Sequence, residues 1–147
     1  MTIHWRNELS IDRGFIDRDH KHLIDIVNRF ESEIDSADAK TTLVHTLRDL
    51  KHYVREHFRR EEAYQEDVEY PHRMKHGAEH RELECRLDTV IQHFVAAVER
   101  GDYKPIAQEA AGLLRHWLID HIIKSDLKLK EHLVITGNLL RAMGRGP

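Results

Sequence analysis

Ile16, His20, Leu23, Val27, Phe30 and Ile34 stand 4, 3, 4, 3 and 4 residues apart. That rhythm sets all six on one face of a helix. It returns in Leu43, Leu47, Leu50, Val54, His57 and Glu61, and again in His76, His80, Leu83, Leu87, Val90 and Phe94. Ile106, Ala110, Leu113, Trp117 and His121 carry it into a fourth stretch. The breakers fall between these stripes: "DSADAKTT" at 35–42, "EYPH" at 69–72 and "RGDYKP" at 100–105. Pro71 suits the first turn of a helix. Helices are predicted over about 17–34, 41–66, 72–99 and 105–132, with a short fifth near 134–142. "RNELSIDRG" reads as an extended N-terminal loop and "GRGP" as a loose tail. Strand-like alternation is nearly absent. The expectation is an all-α protein: an antiparallel up-down-up-down four-helix bundle at about 17–132, in a single domain spanning 1–147.

Each stripe is apolar along most of its length and polar at one end. His20 opens the first helix, and His57 and Glu61 close the second. His76 and His80 open the third, and His121 closes the fourth. In an up-down bundle these are all the same end, so six ionisable side chains converge on one level of the core. Burying such groups unpartnered costs several kcal/mol each. A metal resolves the conflict, because neutral imidazole and carboxylate are its ligands. The i, i+4 pairs, His57 with Glu61 and His76 with His80, each present two side chains on one helix face.

Asp126 offers a second carboxylate, five residues after His121 in "HIIKSD". In a regular helix that spacing leaves the two roughly 140° apart. Asp126 could flank the site from another side, or a local π-bulge could bring the pair together. Five histidines and two carboxylates are generous for one ion and suit two ions bridged by the carboxylates. The other eight histidines (His4, His22, His45, His52, His72, His93, His116 and His132) read as surface or boundary residues. Glu62 reads as solvated and Cys85 as a small packed hydrophobe.

Composition narrows the class. The 147 residues suffice for one core. A formal charge of −3 argues against nucleic acid as a partner. No apolar run is long enough to span a bilayer, and "MTIHWRNELS" shows no signal peptide. The single cysteine cannot form an internal disulfide, which suits a cytoplasmic location.

"IDRDHKHL", "HFRREE", "YPHRMKHGAEH" and "WLIDHIIKSD" together resemble the hemerythrins, and the bacterial branch in particular. The likeness runs from Trp5 to about Leu133, and the 41-residue step from His80 to His121 fits that branch. Myohemerythrin is itself a reference example of the up-down bundle, so resemblance and fold expectation are not independent. The resemblance implies two iron ions per chain. It gives His76, His80 and His121 to one iron and His20 and His57 to the other, with Glu61, Asp126 and an oxo or hydroxo group as bridges. Dioxygen would take the open position on the two-histidine iron, in an apolar pocket of Leu23, Phe58, Trp117 and Ile122. Nitric oxide and azide-like anions are further candidate ligands. The chain departs from the family pattern at Tyr64 and Gln65, where Leu-Met is usual, and at Leu83, where Phe is usual.

Four functions compete. Reversible oxygen binding for carriage, storage or delivery is the primary expectation, and a non-enzymatic one. An oxygen, redox or nitric oxide sensing module could use the same di-iron site. Di-iron oxidases of the ferritin-like class rely on carboxylate-rich Glu-x-x-His sites, whereas here histidines outnumber carboxylates. Structural zinc takes four tetrahedral ligands, and seven are too many.

Overall fold

The computed structural model describes residues 2–144, with residues 138 and 139 described by their backbone alone. The tail expectation falls largely on residues 145–147, outside the described residues. The main helices are α1 (Phe15–Glu33), α2 (Ala39–Asp67), α3 (Arg73–Arg100) and α4 (Tyr103–His121). A five-residue π-helical segment, Ile122–Asp126, joins α4 to α5 (Leu127–Ala142). Each of α1 and α3 packs against both α2 and α4, which makes a four-helix bundle, and no strand occurs among the described residues. No helix among them is long and apolar enough to cross a membrane.

The ends of α1 and α3 are set by local chemistry. Asp12 accepts from the backbone N–H of Gly14, Ile16 and Asp17 at 2.8, 3.1 and 3.2 Å, satisfying donors that a helix start leaves open. Asp17, itself buried, accepts from Ile11 N–H at 2.7 Å and from the Ser10 hydroxyl at 2.6 Å. The N-terminal loop is thereby tied to α1, close to His20. α3 stops at Gly101, whose φ of 86° lies in the left-handed region that glycine enters without a Cβ clash.

All residues of the first two predicted stripes are buried, and Phe30 meets Phe94 edge-on at 6.1 Å in the same core cluster. The fourth stripe is different. Leu113 is 52 % exposed, and the buried face of α4 is Ala107, Ala110, Ala111, Leu114 and Leu118. The buried face lies between the predicted stripe and the row one residue on, so Ala110 and His121 stay inward while Leu113 does not. This segment carries apolar residues on two adjoining rows, so periodicity alone admits both. Packing selects the alanine-rich row, whose small side chains let α4 approach a core already filled by aromatic rings.

Two further expectations are corrected. α5 begins at Leu127, not near 134, and follows the π segment without a break. Cys85 is exposed on α3 and does not pack into the core.

Candidate metal centre

Seven side chains gather where α1 and α3 begin and α2 and α4 end. His20, His57, Glu61, His76, His80 and Asp126 are buried, and the His121 side chain is only 8 % exposed. The eight remaining histidines are exposed, apart from half-buried His132, whose Nε2 lies 2.8 Å from the Val68 carbonyl.

The ring nitrogens and carboxylate oxygens fall into two groups that share Asp126. Glu61, His76, His80, His121 and Asp126 each offer an atom within 4.8 Å of the others, and so do His20, His57 and Asp126. His121 Nε2 lies 3.2 Å from His76 Nε2 and 3.1 Å from His80 Nε2. Asp126 Oδ1 is 2.9 Å from His76 Nε2, and its Oδ2 is 3.0 Å from His20 Nε2. Glu61 Oε2 is 3.2 Å from His80 Nε2 and 3.9 Å from His57 Nε2. Asp126 thus faces both groups directly, while Glu61 sits with the three-histidine group and reaches toward the other.

The donor set fits metal ions better than it fits itself. Both carboxylate oxygens of Glu61, Oδ2 of Asp126 and both ring nitrogens of His20 are buried with no hydrogen bond. His20 Nε2 and Asp126 Oδ2 are close, yet they do not aim at each other as donor and acceptor would. Such atoms converge on a third point. Metal–nitrogen bonds of about 2.1 Å place cis nitrogens of an octahedron about 3.0 Å apart and tetrahedral ones about 3.4 Å apart. The His80–His121 nitrogen pair at 3.1 Å lies nearer the octahedral value, and the His76–His121 pair at 3.2 Å lies midway.

Protonation follows the same crowding. Burial raises the Glu61 carboxyl, and the Asp126 charge raises it further. Burial opposes ionisation of Asp126 too, but the His121 charge, with the His121, His20 and His76 rings close to its oxygens, holds it well below the usual carboxylate range. His20 and His121 are raised above the ordinary imidazole value: burial works against this, and Asp126 outweighs it. His80 is pushed down to about 3 by burial and by the neighbouring His76 and His121. The cluster without metal therefore holds protons that an entering cation must displace.

Partners behind the rings orient them. The Asp19 carboxylate accepts from His57 Nδ1 at 3.2 Å. It is held there by Tyr53 O–H at 2.8 Å and by Arg60 Nε and Nη2 at 3.0 and 2.7 Å. Glu62, expected to be solvated, accepts from His80 Nδ1 at 2.7 Å and is paired with Arg81. A carboxylate on Nδ1 leaves Nε2 as the free lone pair, which is the tautomer that binds metal. Phe58 stacks on His80 with ring centroids 3.7 Å apart. Asp19 and Gln65 drew no such expectation from the sequence, because their contacts cross between helices. Glu62 could have been suspected from its place beside Glu61, and the unusual Gln65 from its departure from pattern.

A small cavity of about 10 Å³ lies against the two-histidine group. Its walls are His20, Leu23, His57, Phe58, Trp117, Leu118, His121 and Asp126. Three of the four residues expected to line an apolar pocket are there. Ile122 is fully buried in the main core cluster instead, and Leu118 takes its place at the wall.

A four-helix bundle gathering five histidines and two carboxylates at one core level defines a histidine-rich, metal-binding helical bundle. The profile of the hemerythrin HHE cation binding domain matches residues 13–133, and the chain belongs to that family. Among its relatives, the bacteriohemerythrin of Pseudomonas aeruginosa (strain UCBPP-PA14) is 26 % identical over 122 residues, covering 83 % of this chain and 75 % of the relative. That of Campylobacter jejuni (serotype O:2) is 23 % identical over 125 residues, 84 % and 90 % of the two chains. That of Methylococcus capsulatus is 28 % identical over 119 residues, 81 % and 86 %. The family is one of non-haem iron proteins that bind oxygen.

Proposed function

We propose that this chain binds dioxygen reversibly at a centre of two iron ions, for carriage, storage or delivery, as one domain in the cytoplasm. His76, His80 and His121 would hold one iron, His20 and His57 the other, with Glu61 and Asp126 between them. Two ferrous ions can each give up an electron and take it back, which is the redox chemistry that reversible oxygen binding needs. The observation that carries the reading is asymmetry: three histidines on one side, two on the other, and the cavity beside the two.

The chain's own side chains do the rest. Leu23, Phe58, Trp117 and Leu118 surround the cavity with apolar surface and keep bulk water from it. Asp19 and Glu62 hold His57 and His80 in the metal-binding tautomer. The test is iron analysis with optical spectra under argon and then air. About two irons per chain and an absorption band that appears in air and bleaches under argon support the reading. A tightly held single zinc, with no iron uptake, defeats it.

A further inference from the structure

We propose that the cleft between the N-terminal loop, α1 and α5 binds an elongated organic polyphosphate of the nucleoside di- or triphosphate class. The cleft encloses about 900 Å³, a volume in the range of small-molecule sites. It shares no lining residue with the small cavity beside the histidines.

Five cationic side chains line it: Arg13, Arg18 and Lys21 from the loop and α1, Lys130 and Arg141 from α5. None of the five is paired with a carboxylate among the described residues. Elsewhere cations are neutralised, as Arg29 is by Asp49, Lys51 by Asp88 and Arg60 by Asp19. The chain as a whole has a formal charge of −3, so this concentration of positive charge runs against its composition. The two carboxylates in the cleft are already engaged. Asp12 accepts from the backbone at the start of α1, and Asp17 accepts from the Ser10 hydroxyl and from Ile11 and Arg13 N–H. Like charges gathered without counter-ions repel, and a bound anion relieves that repulsion.

The placement of the charges sets the shape of the anion. Lys130 and Arg141 are eleven residues apart on one continuous helix, a rise of about 16 Å. A lone phosphate meets one end of that row, whereas two or three linked phosphates with an attached sugar run along it. Arginine offers the forked N–H donors that match phosphate oxygens. Arg13 holds φ at 53°, a left-handed conformation that glycine enters more readily. An arginine thus stands at the corner from which α1 departs. The rest of the wall includes Trp5, Leu133 and Val134, apolar surface that phosphate alone leaves uncovered. An aromatic base covers it by stacking and contact. The Lys21 ammonium lies 5.0 Å from the Trp5 ring centroid, so charge and aromatic surface adjoin.

The test is calorimetric titration of the full chain with ATP, ADP, AMP and inorganic tripolyphosphate, in magnesium-free buffer at physiological ionic strength. ATP should bind once per chain with a Kd below about 1 mM, ADP more weakly, and AMP at least about 10-fold more weakly than ATP. Trp5→Ala should weaken ATP and leave tripolyphosphate unchanged. Arg18→Glu and Lys130→Glu, one on either side of the cleft, should each weaken ATP by about 10-fold or more. Arg48→Glu, an exposed change of the same charge that lines no part of the cleft, should leave ATP binding within about 2-fold of wild type. ATP binding that survives both cleft variants puts the ligand elsewhere, the metal cluster included, and overturns the proposal. An equal loss in Arg48→Glu, AMP or tripolyphosphate binding as tightly as ATP, or no saturable binding overturns it too.

Discussion

His121 Nε2 lies 3.0 Å from Asp126 Oδ1, although a regular helix would put residues five apart on different faces. The intervening backbone, Ile122–Asp126, is π-helical. A π turn is an α-helix with one residue inserted, so i and i+5 align as i and i+4 otherwise do. The bulge is what delivers the second carboxylate to the cluster.

That account predicts the effect of a deletion. Lys124 is exposed and pairs with Asp120 on the turn before it. Removing it should turn the π segment into ordinary α-helix, with Asp126 now four residues after His121. Metal content should stay at the wild-type level. Loss of more than half the metal, in a variant whose circular dichroism remains helical, would show that the bulge is not a simple insertion.

Glu61 and Glu62 are neighbours with different work. Glu61→Ala removes the fully buried carboxylate between the histidine groups, and metal content should fall well below wild type. Glu62→Ala removes the partner of His80 Nδ1 and of Arg81, and no proposed ligand. It should keep the stoichiometry but weaken binding about 10- to 100-fold. Elemental analysis with chelator competition separates the two. Identical behaviour would mean that the bridging position is misassigned.

Removing metal should destabilise the fold, since Glu61, Asp126 and His20 keep orphaned buried atoms. With free metal at about a thousand times Kd, binding contributes about 4 kcal/mol. For a chain of this size, thermal unfolding should drop by roughly 8–16 °C on metal removal. A calorimetric scan with and without chelator measures it, and a change under 2 °C would contradict a metal-coupled core.

The size of that difference should depend on pH. In the metal-free fold His20 and His121 have raised pKa values, so the stability they contribute is fully present below the ordinary imidazole value and is lost as pH rises through their raised ones. Raised Glu61 acts in the same direction from its ordinary value upward. His80, depressed to about 3, acts oppositely, removing stability as pH falls from 6.5 toward 3. Metal binding needs these groups deprotonated and improves with pH. The stabilisation by metal should therefore grow from pH 6 to pH 8, with protons released on binding. Denaturant titrations at several pH values check the trend, and a flat difference would contradict it.

Leu23→Glu tests the cavity. Leu23 is buried in its wall beside His20 and His57. A carboxylate there could take the open position or draw in water while all seven proposed ligands remain. Iron content should be near normal, with oxygen binding blocked or oxidation at least several-fold faster. Wild-type oxygen binding and release in this variant would place the oxygen site elsewhere.

Much of this was legible in the chain. Stripes spaced at 3 and 4 residues specify which faces turn inward, because an apolar face must be buried and the helical period is fixed. Short connections then force alternate directions, and the polar ends of the four stripes have to meet. Six of the seven clustered residues lie on those stripes. What periodicity could not decide was anything needing a second helix as reference. Leu113 and Leu114 are both apolar, and only the space left by three other helices selects Leu114. Asp126 is off the stripe by one residue, and only the π segment brings it in. Asp19, Glu62 and Gln65 face His57, His80 and His76 across helix boundaries, where spacing along one chain carries no information. The sequence determined the faces and the kinds of donor brought together. Packing decided the rotation of α4, the bulge after it and the partner behind each ring, because those are distances between helices.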